Sequence, residues 1–69
     1  MISNILKYVS FAGCDEITDT GLQKFASNCP NLEALDLSDC FELTDNSIKT
    51  LAFCCKFLKD LNLSGCKMV

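Results

Sequence analysis

Leu6, Leu32 and Leu58 stand 26 residues apart, and so do Cys14, Cys40 and Cys66. The same step carries Val9 to Leu35 and Leu61, Phe11 to Leu37 and Leu63, and Ile17 to Leu43 and Val69. It also carries Leu22 to Ile48, Phe25 to Leu51, Ala26 to Ala52 and Cys29 to Cys55, and superimposes Thr18-Asp19 on Thr44-Asp45. A period of this kind is the signature of a repeat architecture, in which each unit leans on its neighbour to bury its apolar face.

Within one unit the apolar spacing changes once. Leu35-Asp36-Leu37 and Leu61-Asn62-Leu63 alternate, which is the pattern of a short strand with one buried face. Beyond the Thr-Asp pair, Ile48, Leu51, Ala52 and Cys55 follow the i, i+3, i+4, i+7 stripe of an amphipathic helix. Thr44 or Asp45 is placed to accept hydrogen bonds from the first free N–H groups of that helix, as is Thr18 or Asp19 one unit earlier. Pro30 falls just past the first helix, where it disturbs no helical hydrogen bond. The pattern predicts strands near 7–11, 33–37 and 59–63, and helices near 19–28 and 45–55. Stacking such units gives a parallel sheet on one side, helices on the other and a continuous core between them. Neighbouring strands about 4.8 Å apart then set equivalent residues in ladders.

The run from Cys29-Pro30-Asn31-Leu32 through Leu35-Asp36-Leu37 and Cys40 to Leu43-Thr44-Asp45, completed by Ile48, Leu51 and Ala52, resembles the cysteine-containing leucine-rich repeat. The resemblance covers the chain from about Leu6 to Val69. It implies an α/β leucine-rich-repeat solenoid, a right-handed horseshoe segment with parallel strands on the concave side and helices on the convex side. The units are then 6–31, 32–57 and a partial 58–69, a single array of about two and a half repeats over 1–69. Such repeats are typical of F-box/leucine-rich-repeat proteins, the substrate receptors of cullin-based ubiquitin ligases. They also occur in proteins without an F-box, among them cell-cycle regulators and components of ciliary complexes. The implied function is therefore protein recognition: substrate-binding repeats of a ligase receptor or, alternatively, a scaffold or assembly module. The sequence departs from the pattern where Ser3 stands in place of a first cysteine and where it stops short of the next Thr-Asp pair. The expectation is a fragment of a longer array, or a small product that self-associates through its uncapped repeat ends.

Cys14, Cys40 and Cys66 occupy the turn leaving each strand, where a buried thiol fills a small apolar space and donates weakly to a backbone carbonyl. Cys29 and Cys55 end the helix stripe and are expected to face the core. Zinc is the sharper alternative, but the cysteines lack the close paired spacing of structural sites and the chain has no histidine. Disulfides between ladder neighbours are compatible with their spacing. Cys54, at the position of Asn28, is expected near the surface as the most reactive thiol. No cofactor is expected.

The residues between the buried leucines are expected to point into the concave side, the face on which the resemblance implies that a partner is gripped. In the first unit they are Tyr8, Ser10 and Ala12, in the second Ala34, Asp36 and Ser38, and in the third Asp60, Asn62 and Ser64. Tyr8 offers a large rigid contact with a polar tip, while Asp36 and Asp60 favour a basic or hydrogen-bond-donating segment. The plainer reading of the same face is a solvated sheet surface, steadied by a ladder of Lys7, Glu33 and Lys59 worth a few tenths of a kcal/mol per pair. Phe41, Phe53 and Phe57 fall outside the buried positions and either pack on neighbouring units or form a second contact surface.

Charge and composition close off other classes. A net charge of -3 with six lysines and no arginine is a poor match for a phosphate backbone, so no nucleic acid is expected. The apolar runs fall far short of the roughly 20 residues of a membrane span. The first seven residues lack the basic start and apolar core of a secretory signal, which predicts an intracellular chain, cytoplasmic or nuclear. Catalysis is not expected: there is no histidine, no glycine-rich phosphate loop, and Asp19 and Asp45 sit where helix caps belong.

Overall fold

The computed structural model describes residues 5–69; Ser3 lies outside them. The element order is β1 (Tyr8–Ser10), α1 (Asp19–Ser27), β2 (Ala34–Asp36), α2 (Asp45–Cys54) and β3 (Asp60–Asn62). The strands form one parallel sheet in the order β1-β2-β3. Its register keeps the 26-residue step: Val9 pairs with Leu35 and Leu35 with Leu61. Among the described residues no helix is long and apolar enough to cross a membrane.

The strands are shorter than the alternation predicts because side chains turn the backbone at each strand exit. Ser10 Oγ accepts from Ala12 N–H at 3.2 Å, Asp36 Oδ1 from Ser38 N–H at 3.0 Å and Asn62 Oδ1 from Ser64 N–H at 2.9 Å. Small side chains with an acceptor two residues before an N–H compete in this way with ladder pairing. Inter-strand bonding nevertheless continues past the turn, with Gly13 N–H donating to Ser38 O at 2.8 Å and Asp39 N–H to Ser64 O at 2.7 Å. The chain then bends through a positive φ at Gly13 (77°), Asp39 (60°) and Gly65 (79°). That third turn position favours glycine, which carries no Cβ to clash.

Threonine, not aspartate, caps each helix. Thr18 Oγ1 accepts from Gly21 N–H and Thr44 Oγ1 from Asn46 N–H, each at 3.3 Å. The expectation that Asp19 serves as a cap of its own helix is corrected below, where its carboxylate is found on the next unit.

Strand and helix residues share one core. Leu22, Ala26, Leu32, Leu37, Cys40 and Leu43 are fully buried, and Leu35, Leu51, Cys29 and Cys55 nearly so. Val9, Phe11, Ile17, Phe25, Leu58, Leu61 and Leu63 pack against it while half-buried. Within the first unit the Phe11 and Phe25 rings meet edge to face at 5.0 Å. Burial therefore peaks where a unit has neighbours on both sides and falls at the two ends. Leu6 is 38% exposed although its repeat-mate Leu32 is sealed. Ala52 is exposed although Ala26 is sealed.

The same rule sorts the cysteines. Cys40 Sγ–H donates to Phe11 O at 3.2 Å and Cys66 Sγ–H to Leu37 O at 2.9 Å, each reaching back to the preceding unit. Cys14 has no described unit before it and is exposed, contrary to the expectation of a buried thiol. Burial pushes the Cys40 and Cys55 thiols above the ordinary cysteine range. Cys54 is half-buried, 3.9 Å from Ser27 Oγ, so Cys14 and not Cys54 is the open thiol. Phe41, Phe53 and Phe57 are exposed, with Lys67 Nζ lying 5.9 Å from the centre of the Phe41 ring.

Candidate functional site

Parallel pairing in register lines the residues expected to face a partner up as ladders. Tyr8, Ala34 and Asp60 form one across the three strands, and Ser10, Asp36 and Asn62 form the next. A hollow of about 190 Å³ opens between them, lined by Tyr8, Ala34, Leu35, Asp36, Asp60 and Asn62. Tyr8 is 62% exposed on this face, so most of its ring is available for contact. Ser10 belongs to the second ladder but does not line the hollow, and Ala12, Ser38 and Ser64 sit beyond the strand ends at the turns. Five of the residues expected on the face thus converge on one depression, joined by Leu35 from the core layer.

The electrostatics of the hollow are acidic. The Ser38 N–H, and then the Ser38 and Ser10 hydroxyls, hold the Asp36 carboxyl below its ordinary value, so it stays ionised down to lower pH. Asp60 adds a second carboxylate one strand away. Lys7 and Lys59 stand beside the face but are tied to Glu33, at 3.6 Å and 3.8 Å. All three side chains are well exposed, so the ladder contributes only a few tenths of a kcal/mol per pair. Such a surface offers an aromatic plane, two anionic groups and an amide, which suits a basic or hydrogen-bond-donating side chain. It contains no nucleophile–base pair.

Sequence reasoning missed a second feature, on the helix layer. Asp19 lies at the start of α1, yet its carboxylate accepts from three donors of the next unit. Thr44 N–H donates to Asp19 Oδ1 at 2.9 Å, the Thr44 hydroxyl donates to Oδ2 and the Ser47 hydroxyl to Oδ1. Ser47 is the one buried polar side chain of the described core, and Asp19 supplies its partner. These bonds, that from Ser47 foremost, hold the Asp19 carboxyl below the ordinary carboxylate value. The repeated Thr-Asp pair was the available signal, but it points equally well to a cap within one unit.

A third feature is an open groove of about 330 Å³ at the end of α2 and β3, lined by Ile48, Leu51, Ala52, Cys55 and Leu58 among others.

Comparison with known proteins follows the same geometry. The family model described as Leucine Rich repeat matches residues 3–26, 28–52 and 54–68, one stretch for each strand-bearing unit. No curated protein matches the chain. Three matched stretches, strands paired at the repeat step and a core shared between units agree on one assignment: the chain belongs to the leucine-rich-repeat family.

Proposed function

We propose that this chain is a non-catalytic, intracellular recognition module that holds a protein partner on its strand face, serving as substrate-recognition repeats of an F-box-type ubiquitin ligase receptor. Leucine-rich repeats generally bind proteins, and the observation that carries the reading here is the hollow between Tyr8, Asp36, Asp60 and Asn62. Its side chains stand on paired strands, and two of them are further held by hydrogen bonds to the backbone. Binding there orders few groups anew, which lowers the entropic cost of capture. In this reading the units continue the right-handed horseshoe, with the strand face as its concave side. The partner presents a lysine or arginine to Asp36 and Asp60, with its aliphatic stem along the Tyr8 ring.

The test pairs Tyr8→Ala with Asp60→Lys. Asp60 is the better carboxylate to change, because Asp36 also holds the turn at Ser38. Captured partners are identified by cross-linking in cells followed by mass spectrometry, with circular dichroism as the folding control. The expected result is loss of partner with an unchanged melt, and cullin-ligase subunits among the proteins recovered with the unmodified chain. Undiminished capture moves the site off this face. Capture through this face without ligase subunits replaces the ubiquitin reading with that of an assembly module.

A further inference from the structure

The hollow on the strand face is a slot with unlike walls. Ala34 pairs with Tyr8 on one side and with Asp60 on the other, so this ladder runs from aromatic through small to charged across the sheet. Two strand spacings separate the walls by roughly 10 Å at the backbone, and the methyl group of Ala34 leaves the middle low. Two residues further along β2 stands Asp36, which closes the slot at one end, with Asn62 beside it. These side chains stand on β1, β2 and β3 themselves, with the walls on either side of the middle strand, so a strand added outside either edge of the sheet would leave the slot as it is.

The two carboxylates are not equivalent. Asp36 Oδ1 already accepts from Ser38 N–H at 3.0 Å, and the Ser38 and Ser10 hydroxyls bear on the same carboxyl. Asp60 is exposed, and among the described residues its carboxylate accepts no hydrogen bond and joins no ion pair, so both of its oxygens are open. Asn62 Oδ1 is taken by Ser64 N–H at 2.9 Å, which leaves the side-chain N–H groups as donors without a partner among the described residues. No cationic side chain lines the slot, and Lys7 and Lys59 beside the face are held by Glu33.

We propose that this slot takes the guanidinium of an arginine on a protein partner and prefers it to the ammonium of a lysine. The inference rests on the strand face being a protein-binding surface, and it names what that surface selects. A cation within about 6 Å of the ring centre and about 2.8 Å of a carboxylate oxygen spans the gap between Tyr8 and Asp60. A guanidinium meets both walls with directed contacts. It is flat and stacks on the Tyr8 ring, and its forked N–H groups match the two open oxygens of Asp60. Its remaining N–H groups are left for Asp36. A lysine ammonium is a compact, strongly hydrated point charge, which gains the field of the two carboxylates without the fork or the planar stack. The side-chain N–H groups of Asn62 donate to a backbone carbonyl of the same partner segment.

The test titrates the isotope-labelled 69-residue chain with N-acetyl-arginine N-methylamide, and with its lysine and citrulline counterparts, followed by NMR. The arginine probe shifts the resonances of Tyr8, Asp36, Asp60 and Asn62 and binds about ten-fold tighter than the lysine probe. The citrulline probe, flat but neutral, shifts none of them. Tyr8→Phe keeps the ring and the preference, whereas Tyr8→Leu keeps bulk and loses the preference. Asp60→Asn removes the charge with little change of shape and brings the arginine probe down to the level of lysine; circular dichroism checks the fold of each variant. Equal or tighter binding of the lysine probe, or no shift within the hollow, overturns the arginine slot. A second arm takes the partner cross-linked in cells through Tyr8 and Asp60 and changes the arginine of its cross-linked segment to lysine, with loss of capture expected. Capture that survives the change, or a captured segment without arginine, overturns the arginine preference and leaves the strand face as a protein site. No protein captured through this face overturns the protein-binding reading, and the inference with it, whatever the small probes show.

Discussion

Asp19→Ala tests whether the carboxylate between units holds them together. The substitution removes the acceptor of three hydrogen bonds, from Thr44 N–H, the Thr44 hydroxyl and the Ser47 hydroxyl. The two groups on Thr44 are half-exposed and recover water, so their loss is small. Ser47 is 0% exposed and is left without its partner, which costs about 1–3 kcal/mol. A total near 2 kcal/mol follows, a large share of the roughly 3–10 kcal/mol expected for a chain of this length. For a domain this small, that corresponds to a drop in Tm of about 8–16 °C. The assay is urea and thermal unfolding followed by circular dichroism. In a Ser47→Ala background the same change should cost clearly less, since the buried hydroxyl is gone. The pH dependence has a definite sign. Hydrogen bonding lowers the folded-state pKa of Asp19, so its contribution is complete above the unfolded value of about 3.9 and is lost as pH falls through the lower folded one. The gap between the unmodified chain and Asp19→Ala therefore narrows in acid. A loss below about 0.5 kcal/mol at neutral pH, or a gap that persists unchanged at low pH, refutes the clamp.

Three further outcomes are expected. Leu37→Asp buries a charge at a site that is 0% exposed, and should abolish the cooperative melt; a surviving melt would mean that the register is wrong. Gly65→Ala places a Cβ 2.1 Å from Asp39 Oδ1 at a φ of 79°, and should cost more than about 1 kcal/mol in urea unfolding, while Asp39→Gly relieves a φ of 60° and should gain about 0.5 kcal/mol. Timed alkylation of the native chain read by mass spectrometry should label Cys14 first, then the half-buried Cys54, with the four buried thiols protected; early labelling of Cys40 or Cys55 contradicts the packing.

The period alone set out most of the architecture. A 26-residue step in apolar positions implies in-register parallel strands, and Leu35 does pair with both Val9 and Leu61. It could not assign burial unit by unit. Leu6 and Leu32 are equivalent in the pattern, as are Cys14 and Cys40, but burial in a stack is set by the neighbouring unit, which the pattern does not count. Nor could it separate Thr18 from Asp19. Both residue types cap helices, and only the three-dimensional step from α1 to α2 brings Asp19 to Thr44 and Ser47. Ser47 is the informative difference: a serine in one unit stands where the other has Gly21, and its buried hydroxyl marks the junction between the two units.

The strand face shows why the same residues support both the structural and the binding reading. Ser10, Asp36 and Asn62 share a ladder position, and each uses a side-chain oxygen to turn the backbone two residues on. Taken alone, that accounts for small polar residues there without any partner. It does not account for Tyr8 and Asp60, which flank Ala34 in the other ladder and take part in no such turn. An exposed tyrosine beside two carboxylates gains nothing for a solvated sheet that a smaller polar residue would not supply. The turns meanwhile fix Asp36 and Asn62 before any partner arrives, so the ordering cost of these side chains is met on folding rather than on binding. Under the proposed function, the structural role of the second ladder would make the first usable, and a partner reading the face would be discriminated chiefly by its fit to Tyr8 and Asp60.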